Sequence, residues 1–451
     1  MALLCMCLIG IMASAAQQRR FTVMGFGDSI TEGGEGFSTY LYPLWQRLFA
    51  AGYDFDFIGP RKSECRIGGL ACCGFSGKTA EWLDGVADSI YRLYPADFVL
   101  IHAGHNHHAA EKPVAGIIGS YRSVIGKLTA INPRVRILLA TVTQSGKLPK
   151  YGYIPELNDS IRKLVAGMGD SRVVMVDMDA GHDWRTMTVA DMVHPNRAGR
   201  ERMGRVWYEA IRPMLGEPPW RFVVERRAYK RLPGGDSLTA HVFMPRGGGA
   251  RPAVAWFFAG GWKYGSPLQF YRECAHYAGM GMVAVSFDYR TAYTHGATVA
   301  DAVADSKDAV RWLRDNAAAL GVDRRRIAVG GASAGGSMAA LLGCVPPGSD
   351  DSLSRPDLLL LEYPTLGLSR GRLREGMPPM LLFMGTADEM TPADSARDYA
   401  GEVRRLGNEC EYHPMEGRRH PIFRYRQPLT ADYLTMLKTM DTFLENHHFF
   451  R

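Results

Sequence analysis

Short apolar runs alternate with longer amphipathic segments along the first half of the chain. The runs cover residues 21–27, 55–59, 97–104, 135–142 and 173–178. Helical patterns lie between them, for example at residues 115–131, and a last one covers residues 197–215. Strands that alternate with helices are typical of βαβ units, in which helices cover both faces of a parallel sheet. This half therefore predicts an α/β domain over residues 17–215.

The pattern breaks at 216-GEPPW-220, where two prolines and a glycine suit a short linker. Residues 221–232 and 238–245 then predict an antiparallel strand pair, and a long helix follows at residues 299–320. Further strand-like runs cover residues 253–258, 282–289, 326–331, 357–364, 380–385 and 409–414. A second α/β domain is therefore predicted over residues 221–451.

Composition agrees with two folded domains and disfavours a nucleic-acid partner. The chain has 451 residues, more than one hydrophobic core usually serves. Hydrophobic residues make up 46% and charged residues 22%, the balance of a globular protein. The net charge is +7, but the basic residues form no stripe interleaved with aromatic side chains. We therefore expect no nucleic acid as partner.

The N-terminal segment 1-MALLCMCLIGIMASAAQQRR-20 combines a short apolar stretch with small residues at Ala13, Ser14 and Ala15. This pattern predicts a signal peptide over residues 1–16 and a secreted or periplasmic protein. The stretch is too short to cross a bilayer, and no later segment is apolar enough to suggest a membrane span. The sequence leaves the oligomeric state open.

Six of the eight cysteines follow the predicted signal peptide, and their spacing matches no zinc-binding pattern. In an exported protein, Cys65 can form a disulfide with Cys72 or Cys73. Free, buried thiols are the alternative. Both interpretations stay open at this point.

A serine follows the first predicted strand in 25-GFGDSITEGGEG-36. Catalytic groups gather at the carboxyl ends of parallel strands, and a serine hydroxyl needs a base and donors for an oxyanion. Three later blocks offer these groups. They are 74-GFSGKT-79 with the backbone N–H of Gly77, 104-GHN-106 with the amide of Asn106, and 191-DMVHPN-196 with Asp191 and His194.

These four blocks together resemble the SGNH (GDSL-type) hydrolases, most of all their acetylxylan esterase branch. The resemblance covers about residues 21–215 and implies a flavodoxin-like, three-layer parallel sheet. It implies Ser29 as the nucleophile, His194 as the general base and Asp191 as the residue that orients His194. The Ser29 N–H, the Gly77 N–H and the Asn106 side chain would then form the oxyanion hole.

The block 104-GHNH-107 departs from the usual pattern of that family, which has Gly or Thr where this chain has His105, and Asp where it has His107. We expect His105 to contact substrate at the rim of the pocket. The histidines of 102-HAGHNHH-108 lack helical spacing and a carboxylate partner, so no metal is expected.

A second serine lies in 331-GASAG-335, between a predicted strand and a predicted helix. This is the context of a G-x-S-x-G nucleophile elbow, in which an acid and then a histidine follow along the chain. Asp388 and His420 fit that order after Ser333. Glu389 and Glu362 stay open as alternatives for the acid, and His413 as an alternative for the base.

The second half resembles α/β-hydrolase esterases related to hormone-sensitive lipase, over about residues 221–448. The likeness includes 257-FFAGGWKYG-265, where Phe258 and Ala259 replace the His and first Gly of the family element. It implies an α/β-hydrolase fold. The residues that it implies for the oxyanion hole are Gly260, Gly261 and Ala334, and Trp262 is expected to bind substrate.

The sequence thus predicts an exported esterase with two independent serine sites and no cofactor. Both resemblances point to deacylation of plant polysaccharide, with acetylated xylan as the expected substrate and acetyl or another acyl group removed at each site. A general carboxylesterase or lipase is one alternative. The other is one catalytic domain joined to a non-catalytic carbohydrate-binding module.

Overall fold

Two separate β-sheets organise the chain in the computed structural model, which describes residues 21–34, 37–63, 70–216, 222–420 and 431–450. The predicted signal peptide, Cys65 and residues 217–220 of the predicted linker lie outside the described residues. Both sheets alternate strands with helices, as the hydrophobic pattern predicts. The fold is therefore α/β in both halves.

The first sheet has seven strands in the order β3-β4-β1-β5-β6-β7, and β2 also pairs with β1. The strands are β1 (Phe21–Gly27), β2 (Phe55–Phe57), β3 (Arg61–Ser63), β4 (Leu70–Gly74), β5 (Phe98–His102), β6 (Arg136–Ala140) and β7 (Val173–Val176). The pairings are parallel except between β3 and β4. Parallel sheets of this kind need helices on their faces.

The helices of this half are α1 (Ser29–Glu32), α2 (Leu41–Ala50), α3 (Ala80–Leu93), α4 (Val114–Ile131), α5 (Ile154–Met168), α6 (Trp184–Met187) and α7 (Arg197–Ile211), with short 3-10 turns at Ala109–Glu111 and Arg212–Met214. Helices α3 and α4 pack on each other on one face, and α2 and α7 on the other. The sheet is therefore the middle of three layers.

The second sheet has eight strands in the order β15-β14-β13-β12-β10-β11-β9-β8. They are β8 (Phe222–Arg231), β9 (Ser237–Pro245), β10 (Arg251–Phe257), β11 (Val283–Phe287), β12 (Val322–Ala332), β13 (Leu358–Glu362), β14 (Met380–Gly385) and β15 (Cys410–Met415). Strand β9 runs antiparallel to both β8 and β11, as the sequence predicts for the start of this half, and the other pairings are parallel.

Its helices are α8 (Tyr271–Gly279), α9 (Ala292–His295), α10 (Val299–Asp315), α11 (Ala317–Leu320), α12 (Ala334–Gly343), α13 (Gly367–Arg370), α14 (Ala393–Arg405) and α15 (Ala431–Asn446), with 3-10 turns at Pro267–Phe270 and Ser352–Ser354. The one long helix expected at residues 299–320 is two, because α10 ends at Asp315 and α11 begins at Ala317, with Asn316 as the cap between them.

A shared aromatic cluster joins the two halves. Trp45 and Phe49 of α2 pack against Tyr271 of α8, with ring centroids 5.9 and 5.7 Å apart. Phe243 of β9 closes the cluster, 6.4 Å from Phe49. The hydrophobic core is therefore continuous from the first half to the second.

The described residues also bear on two smaller expectations. None of the helices in the described ranges is long and apolar enough to cross a membrane. Cys72 and Cys73 are free and buried, which agrees with the alternative of free thiols.

Candidate active sites at the two sheet edges

Ser29 lies at the carboxyl edge of the first sheet, where β1 ends and α1 begins. The preceding Asp28 is fully buried, and its carboxylate accepts a hydrogen bond from the Ile30 N–H at 3.1 Å, which caps α1. Gly27 is in register with Gly74 of β4 and His102 of β5. The loops that follow these three strands therefore start side by side.

His194 and Asp191 complete a hydrogen-bonded chain with Ser29. The Ser29 Oγ lies 2.8 Å from His194 Nε2, and His194 Nδ1 lies 2.5 Å from Asp191 Oδ2. A carboxylate only accepts, so Nδ1 carries the proton and Nε2 is free to accept from the serine hydroxyl. Phe37 stacks on the His194 ring with centroids 4.0 Å apart.

The Asp191 carboxylate is held in its charged form. Partial burial alone would raise its pKa. Hydrogen bonds from the His194 ring and from the backbone N–H groups of His194 and Val193 outweigh burial and hold the pKa of Asp191 below its ordinary value. Asn196, the N-cap of α7, anchors this loop through the Thr186 and Thr188 carbonyls.

The predicted oxyanion donors of the first site are two backbone N–H groups and one side-chain amide. The N–H groups of Ser29 and Gly77 have no partner among the described residues. Gly77 has a φ of 74°, which favours glycine. The Asn106 Nδ2 donates to the Lys78 carbonyl at 2.9 Å and keeps a second proton. The loops of Gly77 and Asn106 are thus joined by a hydrogen bond.

His105 differs from its predicted position at the rim of the pocket, because only 3% of its surface is exposed. Its Nε2 donates to the Thr143 carbonyl at 2.8 Å. Its Nδ1 lies 3.9 Å from Asp28 Oδ2. Burial lowers the pKa of His105 and lowers that of the adjacent His102 to about 3. The buried His105 therefore anchors the loop of Asn106 to the Thr143 carbonyl.

Ser333 occupies a sharp turn between β12 and α12 at the edge of the second sheet. Its φ of 50° and ψ of −115° are unusual for a side chain larger than glycine. Its N–H donates to the Glu362 carbonyl at the end of β13, and the Ser337 N–H and hydroxyl donate to its carbonyl. This is the strand-turn-helix geometry of a nucleophile elbow.

His420 and Asp388 complete the corresponding series of hydrogen bonds with Ser333. The Ser333 Oγ lies 2.9 Å from His420 Nε2, and His420 Nδ1 lies 2.8 Å from Asp388 Oδ2. Burial would raise the pKa of Asp388, but hydrogen bonds from His420 and from the Thr391 and Met390 N–H groups lower it below its ordinary value.

The alternative residues lie elsewhere. Glu389 forms a surface ion pair with Arg419, and His413 lies 3.4 Å from Glu411. The side chain of Glu362 is buried and has no described contact with His420. The structure thus brings Asp388 and His420, rather than these three residues, to Ser333.

The loop after β10 places further donors beside Ser333. The N–H groups of Gly260, Gly261 and Ala334 have no partner among the described residues. A Cβ at Gly260 would lie 1.7 Å from the Tyr264 carbonyl oxygen, so only glycine fits there. Trp262 is half-buried in the core beside this loop.

Residues that the sequence did not identify anchor this second loop. The Tyr289 hydroxyl donates to the Phe258 carbonyl at 2.8 Å, and the two rings stack 3.9 Å apart. The Ala259 N–H donates to Gln269 Oε1 at 2.7 Å. Tyr289 follows β11, the neighbour of β10, so the parallel pairing of these strands is the signal that could have identified it.

The described residues contain no cluster of three or more His, Cys, Asp or Glu side chains suited to a metal ion. Each site instead holds a serine, a histidine and an aspartate in series, with free N–H groups beside the serine. Such an arrangement can transfer a proton from the hydroxyl and stabilise an oxyanion.

Each half of the chain thus combines an α/β sheet with a Ser–His–Asp arrangement at its carboxyl edge, the arrangement of a serine hydrolase. Residues 26–202 match the GDSL-like lipase/acylhydrolase family, and residues 241–352 match the BD-FAE family.

Curated relatives are esterases that this chain matches over part of their length. Carboxylesterase NlhH of Mycobacterium tuberculosis is 37% identical over 134 residues, which are 28% of this chain and 41% of that protein. Esterase LipC of the same organism is 28% identical, over 47% of this chain and 63% of LipC. A multidomain esterase of Ruminococcus flavefaciens is 25% identical, over 43% of this chain and 28% of that protein.

Among solved structures, butyrate-bound esterase 2 of Thermogutta terrifontis is 34% identical to this chain. The alignment covers 50% of this chain and 95% of that one, with a TM-score of 0.48. The chain covers less than two thirds of each of the three curated relatives above.

Proposed function

We propose that this protein is an exported esterase with two independent serine sites, which removes acetyl or other acyl groups from plant polysaccharide such as acetylated xylan. One observation carries the proposal. Each of Ser29 and Ser333 lies within hydrogen-bond distance of its own histidine, and each histidine contacts its own aspartate. Neither site borrows a residue from the other.

The same reaction sequence is proposed at both sites. At the first, His194 Nε2 takes the proton of the Ser29 hydroxyl as Oγ attacks the ester carbonyl, and Asp191 stabilises the imidazolium. The Ser29 and Gly77 N–H groups and the Asn106 amide stabilise the oxyanion. Nε2 then protonates the leaving sugar hydroxyl, and water releases the acyl group from Ser29 in the same way.

At the second site, Ser333, His420 and Asp388 take the corresponding roles. The N–H groups of Gly260, Gly261 and Ala334 are the proposed oxyanion donors. The hydrogen bonds of Tyr289 and Gln269 to this loop support its role, because they replace the contact that the family's histidine would have made.

Two observations support a polysaccharide substrate. The first half resembles acetylxylan esterases in its sequence blocks. The segment between β13 and β14 is short and carries only the four-residue helix α13, so no long lid covers the second site from there. A bulky polymer fits an uncovered edge.

A general carboxylesterase is the second candidate, since NlhH is named a carboxylesterase. The length of acyl chain that the protein prefers distinguishes a general carboxylesterase from a polysaccharide esterase. Faster release of long acyl chains from lipid esters, with acetylated xylan left intact, would favour this candidate.

Acetate release from acetylated xylan tests the proposal, with wild type, Ser29→Ala, Ser333→Ala and the double variant. We expect each single variant to keep part of the activity and the double variant to lose at least about a thousandfold. Release of acetate by the double variant, or none by the wild type, would refute the proposed substrate and sites.

A further inference from the structure

Exposed aromatic side chains are rare in the described part of this chain, and both of them adjoin the candidate sites. Trp82 is 37% exposed and Tyr293 is 65% exposed, and every other Phe, Trp and Tyr in those ranges is less exposed. Single exposed apolar side chains are ordinary on a protein surface. The contacts of these two residues with the two oxyanion loops, rather than their exposure alone, suggest a role.

At the first site, the aromatic pair consists of Phe75, in the loop of Gly77, and Trp82, in the first turn of the following helix α3. Phe75 begins this loop, and its N–H donates to the Gly27 carbonyl, two residues before Ser29, at 2.9 Å. The Phe75 and Trp82 rings contact each other edge to face, with centroids 4.9 Å apart. The Lys78 ammonium lies 5.0 Å from the centroid of the Trp82 ring.

At the second site, the pair consists of Tyr264, in the loop that follows Gly260, and Tyr293, in helix α9. The Tyr293 N–H donates to the Lys263 carbonyl at 3.0 Å, and the Ala292 N–H donates to the Trp262 carbonyl at 2.9 Å. The rings of Tyr264 and Tyr293 are 6.2 Å apart and inclined by 26°. Helix α9 is thereby fixed to the oxyanion loop.

We infer that these two pairs bind sugar rings of the acylated polysaccharide beside each serine. We call Phe75 and Trp82 the first platform, and Tyr264 and Tyr293 the second platform. The inference rests on the proposed function and extends it, because it assigns residues that hold the polymer rather than residues that break the ester.

The chemistry of the two platforms matches a sugar. A pyranose ring has a face of C–H groups and an edge of hydroxyls. An aromatic ring offers an apolar face on which the C–H face of the sugar can pack. Lys78, whose ammonium lies beside the Trp82 ring, and Lys263 of the second oxyanion loop are both exposed and can donate hydrogen bonds to sugar hydroxyls. A long acyl chain would instead need an enclosed apolar slot. Exposed rings next to ammonium groups are a poor match for it.

Titration calorimetry on the full-length Ser29→Ala/Ser333→Ala variant, with an acetylated xylo-oligosaccharide as ligand, tests this inference without turnover. We expect Trp82→Ala together with Tyr293→Ala to weaken binding about tenfold. Trp82→Phe with Tyr293→Phe keeps the ring faces and is expected to retain most of the affinity. Leu93→Ala is the matched control, because Leu93 is 75% exposed on the same helix as Trp82 but at its other end.

The outcomes distinguish a failure of the platforms from a failure of the proposed function. Undetectable binding, equal affinity after both alanine substitutions, or an equal loss in Leu93→Ala would overturn the platforms. A larger effect of the same substitutions on p-nitrophenyl octanoate hydrolysis, measured with both serines present, than on oligosaccharide binding would also overturn them, in favour of an acyl-chain surface. Ring-dependent binding without acetate release by the wild type would support the platforms and refute the proposed function.

Discussion

The hydroxyl of Tyr289 illustrates how single residues shape the second site. The sequence shows Phe258 and Ala259 where the family has His and Gly, which removes a familiar anchor of the oxyanion loop. Tyr289 supplies another anchor, since its hydroxyl donates to the Phe258 carbonyl. Burial raises the pKa of Tyr289 well above its ordinary value, so the hydroxyl keeps its proton. The loop is therefore held by a permanent donor.

Tyr289→Phe should lower kcat at the second site by about fivefold, because it loosens the loop that carries the oxyanion donors. The measurement is p-nitrophenyl acetate hydrolysis in a Ser29→Ala background. Tyr91→Phe is the control, since the Tyr91 hydroxyl donates to the Ala96 carbonyl at 2.6 Å in the first half of the chain, away from the loop. Both changes should cost about 1 kcal/mol of stability. Equal kcat values in the two variants would contradict the proposed role of Tyr289.

At the scale of elements, α8, β13 and α15 enclose two carboxyl groups beneath the second site. Glu273 of α8 is 5% exposed, and its Oε2 has no partner among the described residues. Burial raises its pKa to about 7, although a hydrogen bond from Tyr433 of α15 opposes the increase. Burial and the nearby Glu273 raise the pKa of Glu362 at the end of β13. The packing of these elements therefore favours protonated acids.

Stability of the second half should fall as the pH rises from about 4.5 to above 7. The pKa of Glu273 is higher in the folded protein than its ordinary value of 4.5, so the fold is favoured below that value and the gain is lost as the pH passes about 7. Glu273→Gln should therefore add on the order of 3 kcal/mol at pH 8 and little at pH 4.5.

Urea unfolding of wild type and Glu273→Gln between pH 4.5 and 8 measures this difference. Glu445→Gln, an exposed change on α15, is the control. If the wild type and Glu273→Gln keep a constant difference in stability over this range, burial of Glu273 has no such effect.

Elements with a clear apolar run were predictable, and elements without one were not. The strands β1, β5 and β10 follow from uninterrupted apolar residues. By contrast, β3 and β4 were missed, because β3 reads Arg-Lys-Ser and β4 is short and ends in Cys-Cys-Gly. The pairing of β4 with β1 and of β3 with β4 depends on contacts between segments, which a local pattern does not contain.

The same limit applies to the sites. Ser29, His194, Ser333 and His420 stand in recognisable motifs, so their approach in space could be anticipated. The burial of His105 could not be anticipated, because it depends on a contact with the Thr143 carbonyl, 38 residues further along the chain. The exposure of Trp82 and Tyr293 likewise depends on how α3 and α9 sit against the loops.

For the whole molecule, the contact between the two halves determines whether they behave as one body. Phe49 of α2 is fully buried against Trp45, Tyr271 and Phe243. The Arg272 guanidinium lies 5.3 Å from the centre of the Phe49 ring and 3.5 Å from Asp54. A residue of the first half is thus part of the core of the second.

Phe49→Ala should destabilise the second site although it lies in the first half, at a cost of about 3–5 kcal/mol. The measurement is heat inactivation of p-nitrophenyl acetate hydrolysis in a Ser29→Ala background. Phe26→Ala is the control, because Phe26 is buried on the opposite face of the first sheet. Equal inactivation rates for the Phe49 and Phe26 variants would show that the halves are energetically independent.

The central claim is that one chain carries two independent serine nucleophiles. Intact-protein mass spectrometry after saturation with a fluorophosphonate tests it most directly, with wild type, Ser29→Ala, Ser333→Ala and the double variant. We predict two adducts on the wild type, one on each single variant and none on the double variant. A single adduct on the wild type, or any adduct on the double variant, would contradict the claim.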